Sequence, residues 1–234
     1  MLKKLTNELN KLKDPEKAKI LSSFFKTGKG EYGEGDVFLG IKVPVLRKVA
    51  KKYKQVTLCD IEELLKSNIH EYRFIGLVFL VDKYNKGTEK DKKQIADFYL
   101  RNARNINNWD LVDMSAPKIL GHYLIDKDKS VLFKMAKSDN LWERRIAIVA
   151  AFHFIKNNRF DEAVEISEIL LNDNHDLIRK AVGWMLREIG KRNEDKEEEF
   201  LNKHYKIMPG TMLRYAIERM EKSKREFYLK GEKK

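Results

Sequence analysis

The sequence has 234 residues, with 48 Lys and Arg against 36 Asp and Glu, and a formal net charge of +12. It has no apolar run of about eighteen residues that could span a membrane, and its charged N-terminus lacks the apolar stretch of a signal peptide. The single cysteine, Cys59, excludes an intrachain disulfide and a thiolate cluster for zinc or iron–sulfur. We therefore expect a cytoplasmic protein without metal or cofactor.

The positive charge is concentrated at the two ends of the chain. Residues 1–55 carry 14 Lys and Arg against 6 Asp and Glu, and residues 221–234 carry 6 against 3. The remaining 28 and 27 nearly cancel. Clustered positive charge attracts polyanions, and nucleic acid is the commonest of these. The alternative is a lysine-rich surface that only favours solubility.

Start and stop signals of helices recur in chain order. Thr57 with Asp60, and Thr88 with Asp91, have the spacing of a capping box. Gly121 is expected near a helix end, where a left-handed residue is often needed. Alternating β-branched runs are scarce, so the pattern predicts about twelve to fourteen helices with short connections and no sheet.

Three of these helices begin alike, in "SNIHEYRFIGLVFL", "SDNLWERRIAIVAA" and "DNHDLIRKAVGWML". Each has an arginine six residues after its first polar residue: Arg73, Arg144 and Arg179. These arginines are 71 and 35 residues apart, which indicates a unit of about 35 residues with one unit skipped near Trp109. Such arginines could form a basic track along a duplex backbone. The alternative is that each makes a capping contact or an ion pair between repeats.

The period predicts an all-α fold, in which HEAT-like helical repeats stack into a curved α-solenoid with a basic concave face. We expect a single HEAT-like repeat domain over residues 1–234, with a basic C-terminal extension at about 221–234.

The segment "INNWDLVDMSAP" lies at the skipped unit and places Trp109 and Asp113 four residues apart, on one face of a helix. Trp184, in "KAVGWMLREIGK", lies at the equivalent depth two repeats later. Two indoles and a carboxylate could stabilise a transient cation, since a desolvated indole face attracts positive charge by about 1–2 kcal/mol. The alternative is that both tryptophans are buried core residues.

Other chemistry finds little support in the sequence. The five histidines, His70 among them, have no metal-ligand spacing and are expected to be ordinary surface or core residues. The stretch "TGKGEYGEGDVFLG" (Thr27–Gly40) matches neither phosphate-binding glycine motif, so we expect a long functional loop instead.

Four segments, in order and at consistent spacing, resemble the AlkD-type DNA alkylation repair family of HEAT-like-repeat DNA glycosylases: "FLGIKVPVLRKVAKKY", "NNWDLVDMSAPKILG", "SDNLWERRIAIV" and "KAVGWMLREIGK". The resemblance covers roughly residues 10 to 220. It implies base excision repair: monofunctional hydrolysis of the N-glycosidic bond of positively charged N-alkylated purines in duplex DNA, without base flipping. We also expect a monomer, nucleoid-associated when bound to DNA, with no metal, no cofactor and no membrane partner.

The resemblance also assigns roles to individual residues. Asp113 would be the catalytic carboxylate, with Trp109 and Trp184 as its aromatic neighbours. Arg145 matches the arginine that contacts phosphate in the family. Arg187 would do similar work. Apart from the resemblance, we expect further DNA contacts from Arg144, Phe24 and Lys180. An alkylated purine is already a charged leaving group and needs no general acid, so one carboxylate near the anomeric carbon meets the demand.

The chain departs from the family at Asn108, where some members have a tryptophan, at Phe24, where a tyrosine is usual, and at Lys29–Val37, which resembles an insertion. Two further hypotheses stay open: a non-catalytic HEAT-like module that binds branched or damaged DNA, and a protein-binding scaffold. If Asp113 were buried in a salt link or faced the outer surface, its role would be architectural.

Overall fold

The structure is a computed structural model that describes residues 1–230. Over these residues the chain is helical, and its one strand-like pairing is a parallel bridge between Val37 and Ile69. The expected all-α class is confirmed. None of the described helices is both long and apolar enough to cross a membrane.

The chain divides into two compact units, an N-terminal unit (Met1–Leu111) and a C-terminal unit (Val112–Lys234). The N-terminal unit contains α1 (Leu2–Lys11), α2 (Pro15–Phe24), α3 (Val43–Ala50), α4 (Leu58–Leu65), α5 (His70–Lys86), α6 (Glu89–Arg101) and a 3-10 turn (Ala103–Asn105). The boundary between the units falls inside α7 (Trp109–Ala116).

The C-terminal unit continues with a π-helical turn (Pro117–Gly121), α8 (His122–Leu124), α9 (Ser130–Ala136), α10 (Leu141–Ala150), α11 (Phe152–Lys156), α12 (Asp161–Ile169), α13 (Asp176–Gly190), α14 (Glu194–His204), α15 (Gly210–Ala216), a 3-10 turn (Ile217–Arg219) and α16 (Lys222–Lys230). The last helix lies in the basic C-terminal extension and buries Tyr228. Residues 231–234 of that extension lie outside the described residues.

The described residues form sixteen α-helical segments. Two helices are each divided, one into α7 and α8 by the π turn and one into α10 and α11 at Ala151. Counted as single helices, these pairs reduce sixteen to fourteen, at the upper end of the expected range.

Both predicted capping boxes are present. Thr57 and Thr88 each accept a hydrogen bond from the backbone N–H of the aspartate three residues later, and that aspartate accepts one in return. The expectation for Gly121 is wrong, because its φ of −58° is right-handed and it continues a helix. A Cβ at Gly121 would lie 2.3 Å from the carbonyl oxygen of Ala150, so close backbone packing requires glycine there.

The recurring arginines make the same internal contact. Arg73, Arg144 and Arg179 each donate to the backbone carbonyl of the residue six positions earlier, at 2.8, 2.9 and 2.8 Å. Each side chain thereby closes the turn that leads into its own helix. Arg144 also pairs with Asp173 at 2.7 Å, and Arg73 lies 2.6 Å from Asp36. The periodic arginine is thus a structural element of the repeat, as the alternative hypothesis held.

The glycine-rich stretch Thr27–Gly40 is held by its own acidic side chains. Glu31 accepts a hydrogen bond from the backbone N–H of Gly28, and Glu34 from that of Gly30, both at 2.9 Å. Near its end the stretch forms the parallel bridge, where the N–H of His70 donates to the carbonyl of Val37 at 2.9 Å. Its carboxylates therefore organise the loop.

Glu71 fixes the chain that leads into α3. Its buried carboxylate accepts hydrogen bonds from the backbone N–H groups of Leu39, Gly40 and Ile41, at 2.9, 2.8 and 3.2 Å. Gly40 has a φ of +84°, and a Cβ there would lie 2.2 Å from the carbonyl oxygen of Asp14. The path of this segment is thus set by hydrogen bonds to a residue far away in the chain and by a position that only glycine can occupy.

We expect Glu71→Ala to lower the free energy of unfolding by about 3 kcal/mol or more, because each buried N–H that loses its partner costs roughly 1–3 kcal/mol. Urea unfolding measures the loss. Glu63→Ala removes an exposed carboxylate nearby in the chain and should change stability by less than about 0.5 kcal/mol. A Glu71→Ala protein as stable as this control would contradict the assignment.

Glu197 on α14 is a buried carboxyl group, 3% exposed. Burial is the main cause that raises its pKa to about 8, and the charges of Glu194 and Glu198 raise it further. Arg187 and Lys224 act in the opposite direction. The folded protein therefore holds a proton on Glu197 at neutral pH that the unfolded chain releases.

This proton makes stability depend on pH. Between the unfolded pKa of 4.5 and the folded value of about 8, the folded state binds more protons, so stability falls as the pH rises. Glu197→Gln cannot lose a proton, so its stability relative to wild type should increase by a few kcal/mol from pH 5 to pH 8. Denaturant unfolding at several pH values measures this difference. Glu199→Gln, an exposed position of the same helix, should show no such trend, and a parallel trend in both variants would refute the claim.

Candidate functional site

The residue before Trp109 contacts the first backbone N–H of α7. The side-chain oxygen of Asn108 accepts a hydrogen bond from the backbone N–H of Trp109 at 2.8 Å, and its amide donates to Asp36 at 3.3 Å. Asn108 is fully buried. The position at which the chain departs from some family members thus links the start of α7 to the end of the glycine-rich stretch.

Asp36 belongs to a group of four ionisable side chains, Asp36, His70, Arg73 and Asp110, which we call the His70 cluster; the first three are buried and Asp110 is half-buried. The Nε2 of His70 lies 2.9 Å from Asp110, and its Nδ1 lies 3.6 Å from Asp36. Arg73 lies 2.6 Å from the same oxygen of Asp36. The cluster joins α5, the glycine-rich stretch and the first turn of α7 within the N-terminal unit.

The contacts within the cluster shift the pKa values of His70 and Asp36. Burial opposes the protonated form of His70, but the hydrogen bonds to Asp110 and Asp36 outweigh it and raise the pKa of the imidazole. Burial likewise opposes ionisation of Asp36, yet the hydrogen bond to His70 and the charge of Arg73 lower its pKa. The repeat pattern singled out Arg73, but no sequence pattern connected His70 with Asp36, which are 34 positions apart and match no motif. The contacts between these side chains in the folded protein are what identify the His70 cluster.

Trp109 is half-buried in an aromatic stack of the N-terminal unit. The ring of Phe25 is nearly parallel to the indole, 5.2 Å away at 19°, and Phe24 meets it edge-on at 6.0 Å. Phe25 also stacks on Phe38 at 5.1 Å and lies 5.0 Å from His70. Phe24, expected to contact DNA, is 62% exposed. The alternative that Trp109 is a buried core residue is therefore only partly correct.

Asp113 lies in a salt link in the C-terminal unit. Its two carboxylate oxygens accept hydrogen bonds from Nε and Nη2 of Arg145 at 3.0 and 2.9 Å. The third nitrogen of Arg145 donates to the carbonyl of Leu177 at 2.6 Å. The side chain of Asp113 is 22% exposed, whereas that of Arg145 is 6% exposed. The carboxylate is therefore paired but not buried, and the arginine is engaged inside the unit.

Trp184 is half-buried on α13, with its ring centre 5.4 Å from that of Phe152. The other cations expected at DNA also have acidic partners: Arg144 pairs with Asp173, Arg187 with Glu218, and Lys180 with Asp176. The Lys180 pair is exposed, and exposed pairs contribute little free energy, so a phosphate could replace the aspartate. Across residues 1–230, acidic, His and Cys side chains form no group of three or more that could hold a metal ion.

The fold of this chain is similar to the folds of several solved structures. A protein from Enterococcus faecalis, described as a predicted DNA alkylation repair enzyme, aligns with a TM-score of 0.71 and 19% identity, over 90% of this chain and 97% of its own. AlkD2 from Streptococcus mutans aligns with a TM-score of 0.52 and 20% identity, over 94% of this chain and 100% of its own. The smu.31 protein of Streptococcus mutans UA159 gives 0.51 and 19%, over 94% and 98%. At sequence identities of 19–20%, the similarity is evidence of a shared fold.

No curated protein matches the sequence. A family model does: the model described as DNA alkylation repair enzyme matches residues 5–220, which is most of the chain. The helical fold and the likeness to solved structures agree with this match, and the chain therefore belongs to the DNA alkylation repair enzyme family.

Proposed function

We propose that the chain is a monofunctional DNA glycosylase, which hydrolyses the N-glycosidic bond of positively charged N-alkylated purines in duplex DNA. Membership in an alkylation repair family supports DNA as the substrate. The proposal of glycosylase activity rests on the carboxylate of Asp113, which Arg145 holds in one orientation by two hydrogen bonds and which is still 22% exposed. A reactive carboxylate needs both properties.

Hydrolysis of this bond requires few catalytic groups from the protein. An alkylated purine carries a positive charge, so the bond to the deoxyribose breaks without protonation of the base. Positive charge then develops on the sugar as an oxocarbenium ion, which a nearby carboxylate stabilises while it orients a water molecule. One fixed anion therefore suffices, in contrast to the two carboxyl groups of most glycoside hydrolases.

Arg145 acts in this proposal as a positioning residue. A bidentate guanidinium–carboxylate pair fixes the plane of the carboxylate more tightly than a single hydrogen bond. Arg145 occupies two of the roughly four acceptor positions of Asp113. Its charge also offsets part of the attraction between Asp113 and a cation, so the aromatic side chains carry a correspondingly larger share.

We propose that Trp109 and Trp184 supply this aromatic stabilisation of the cation. Trp184 is half-buried on α13, and Trp109 starts α7 one helical turn before Asp113. An indole face near a desolvated cation contributes about 1–2 kcal/mol. Because Phe25 lies parallel to the indole of Trp109, a cation would approach its other face or its edge.

A non-catalytic, DNA-binding module is the second candidate, and the salt link between Asp113 and Arg145 is the observation that favours it. A paired carboxylate can be purely structural, and an arginine pair is also present at Asp173, with Arg144. The two candidates differ in whether the wild-type protein releases any base at all.

Asp113→Asn should abolish release of methylated purine and leave the affinity for DNA intact, because it removes the charge that stabilises the oxocarbenium ion. Chromatography of the bases released from methylated duplex DNA measures the activity, and a binding titration measures the affinity. Asp173→Asn is the matched control, since it breaks an equivalent arginine pair in the same unit and should retain activity. A wild-type protein that binds DNA and releases no base would establish the non-catalytic module instead.

Trp184→Ala should slow excision by about ten- to a hundredfold, which corresponds to roughly 1.4–2.7 kcal/mol in the transition state. Trp184→Phe keeps an aromatic face and should recover most of the rate. Single-turnover excision measures both variants, with melting temperatures as the check on folding. Equal rates for wild type and Trp184→Ala would reduce Trp184 to a core residue.

A further inference from the structure

The carbonyl group that Arg145 binds belongs to the first turn of α13. Arg145 donates to the carbonyl oxygen of Leu177 at 2.6 Å, and its other two nitrogens donate to Asp113. Leu177 in turn donates its own backbone N–H to Nδ1 of His175, at 3.2 Å. His175 is thereby the N-cap of α13. The imidazole and the guanidinium group that orients Asp113 therefore bind the same residue, Leu177.

The chain before α13 is also connected to α10 through Asp173. One carboxylate oxygen of Asp173 accepts the backbone N–H of His175 at 2.8 Å, and the other accepts Nε of Arg144 at 2.7 Å. Two consecutive arginines of α10 thus bind the segment 173–177, one at Asp173 and one at Leu177. Because Arg145 is the second of them, a displacement of Leu177 would be passed to its guanidinium group.

His175 occupies a position that an asparagine fills in another repeat. Asn140 and His175 each lie four residues before the periodic arginine of their repeat. The side-chain oxygen of Asn140 accepts hydrogen bonds from the N–H groups of the second and third residues of α10, at 2.9 and 3.1 Å. Asparagine is among the best N-cap residues and does not titrate, whereas Nδ1 of histidine accepts a hydrogen bond only while it carries no proton. The cap of α13 is therefore one that acid removes.

The surroundings of His175 keep this cap intact at neutral pH. The side chain is half-buried, and burial is the main cause that lowers its pKa below the ordinary value of 6.5. The charges of Arg144 and Arg145 lower the pKa further, whereas those of Asp173 and Asp176 raise it. The imidazole is therefore neutral at pH 7, and it gains a proton as the pH falls through this lowered pKa.

We propose that His175 is a positioning residue for the reaction, which acts through Leu177 and Arg145 on the orientation of Asp113. While Nδ1 carries no proton, the cap fixes Leu177 where its carbonyl oxygen accepts the hydrogen bond of Arg145. When Nδ1 gains a proton, the first turn of α13 loses its cap and the guanidinium group is held less precisely, and small misplacements of reacting groups slow catalysis. The effect on base release rests on the proposed function, whereas the coupling between His175 and Arg145 does not.

Single-turnover excision from methylated duplex DNA between pH 7.5 and pH 5.0, with release in the absence of protein subtracted, tests the effect on the rate. Wild type should lose about tenfold as the pH falls, because the cap is lost. His175→Asn keeps a cap that cannot gain a proton, so it should equal wild type at pH 7.5 and lose less than about threefold. His175→Ala should be about five- to tenfold slower at pH 7.5, with its affinity for DNA changed by less than about twofold.

His153→Asn is the matched control. His153 is also a half-buried histidine of the C-terminal unit whose pKa is lowered, mainly by burial. This variant should show the same loss of rate in acid as wild type. Melting temperatures at each pH show whether the variants are folded. An equal loss in wild type and His175→Asn, or a loss removed by His153→Asn as well, overturns the proposal.

Exchange of the Nε–H proton of Arg145 with water, measured by NMR, tests the coupling without reference to activity. The rate in wild type divided by that in His175→Asn should be near one at pH 7.5 and at least about fivefold higher at pH 5.0, since the intrinsic pH dependence of exchange cancels in the ratio. A constant ratio overturns the proposal. A wild type that releases no base refutes the glycosylase, and the exchange ratio then decides by itself whether His175 holds Arg145.

Discussion

The N-terminal unit depends on the ionic hydrogen bonds around His70. The imidazole lies between Asp36, from the glycine-rich stretch, and Asp110, from the first turn of α7. Removing one member of such a buried group leaves a desolvated charge without a partner, which is far more costly than never having had the group. The cluster therefore holds the loop and the helix start together, and Trp109 is the residue that begins that helix.

The aromatic stack follows from this arrangement. Phe25 contacts both His70 and Trp109, and Phe38 stacks on His70 at 4.6 Å. The residues that stabilise the N-terminal unit thus also hold the ring of Trp109, to which we assign a part in the proposed reaction.

The periodic arginines and Arg145 bind different parts of the chain. In the repeats, Arg73, Arg144 and Arg179 each bind the carbonyl group six positions earlier and so close the turn into their own helix. Arg145 follows Arg144 directly in the sequence, but its guanidinium group binds the carboxylate of Asp113 and the carbonyl of Leu177, each 32 residues away. One helical step is about 100° on an α-helix, so neighbouring arginines serve different surfaces.

The sequence by itself determined the helical class, the capping boxes and the period of the repeats, because these depend on contacts within a few residues or on regular spacing. It also singled out Asp113, Trp109 and Trp184, through resemblance to a family. Only the tertiary structure decided that the periodic arginines bind carbonyl groups and that Asp113 is paired with Arg145. It alone brought Asp36 and His70 together, since contacts between residues far apart in the chain arise from packing, which leaves no local pattern in the sequence.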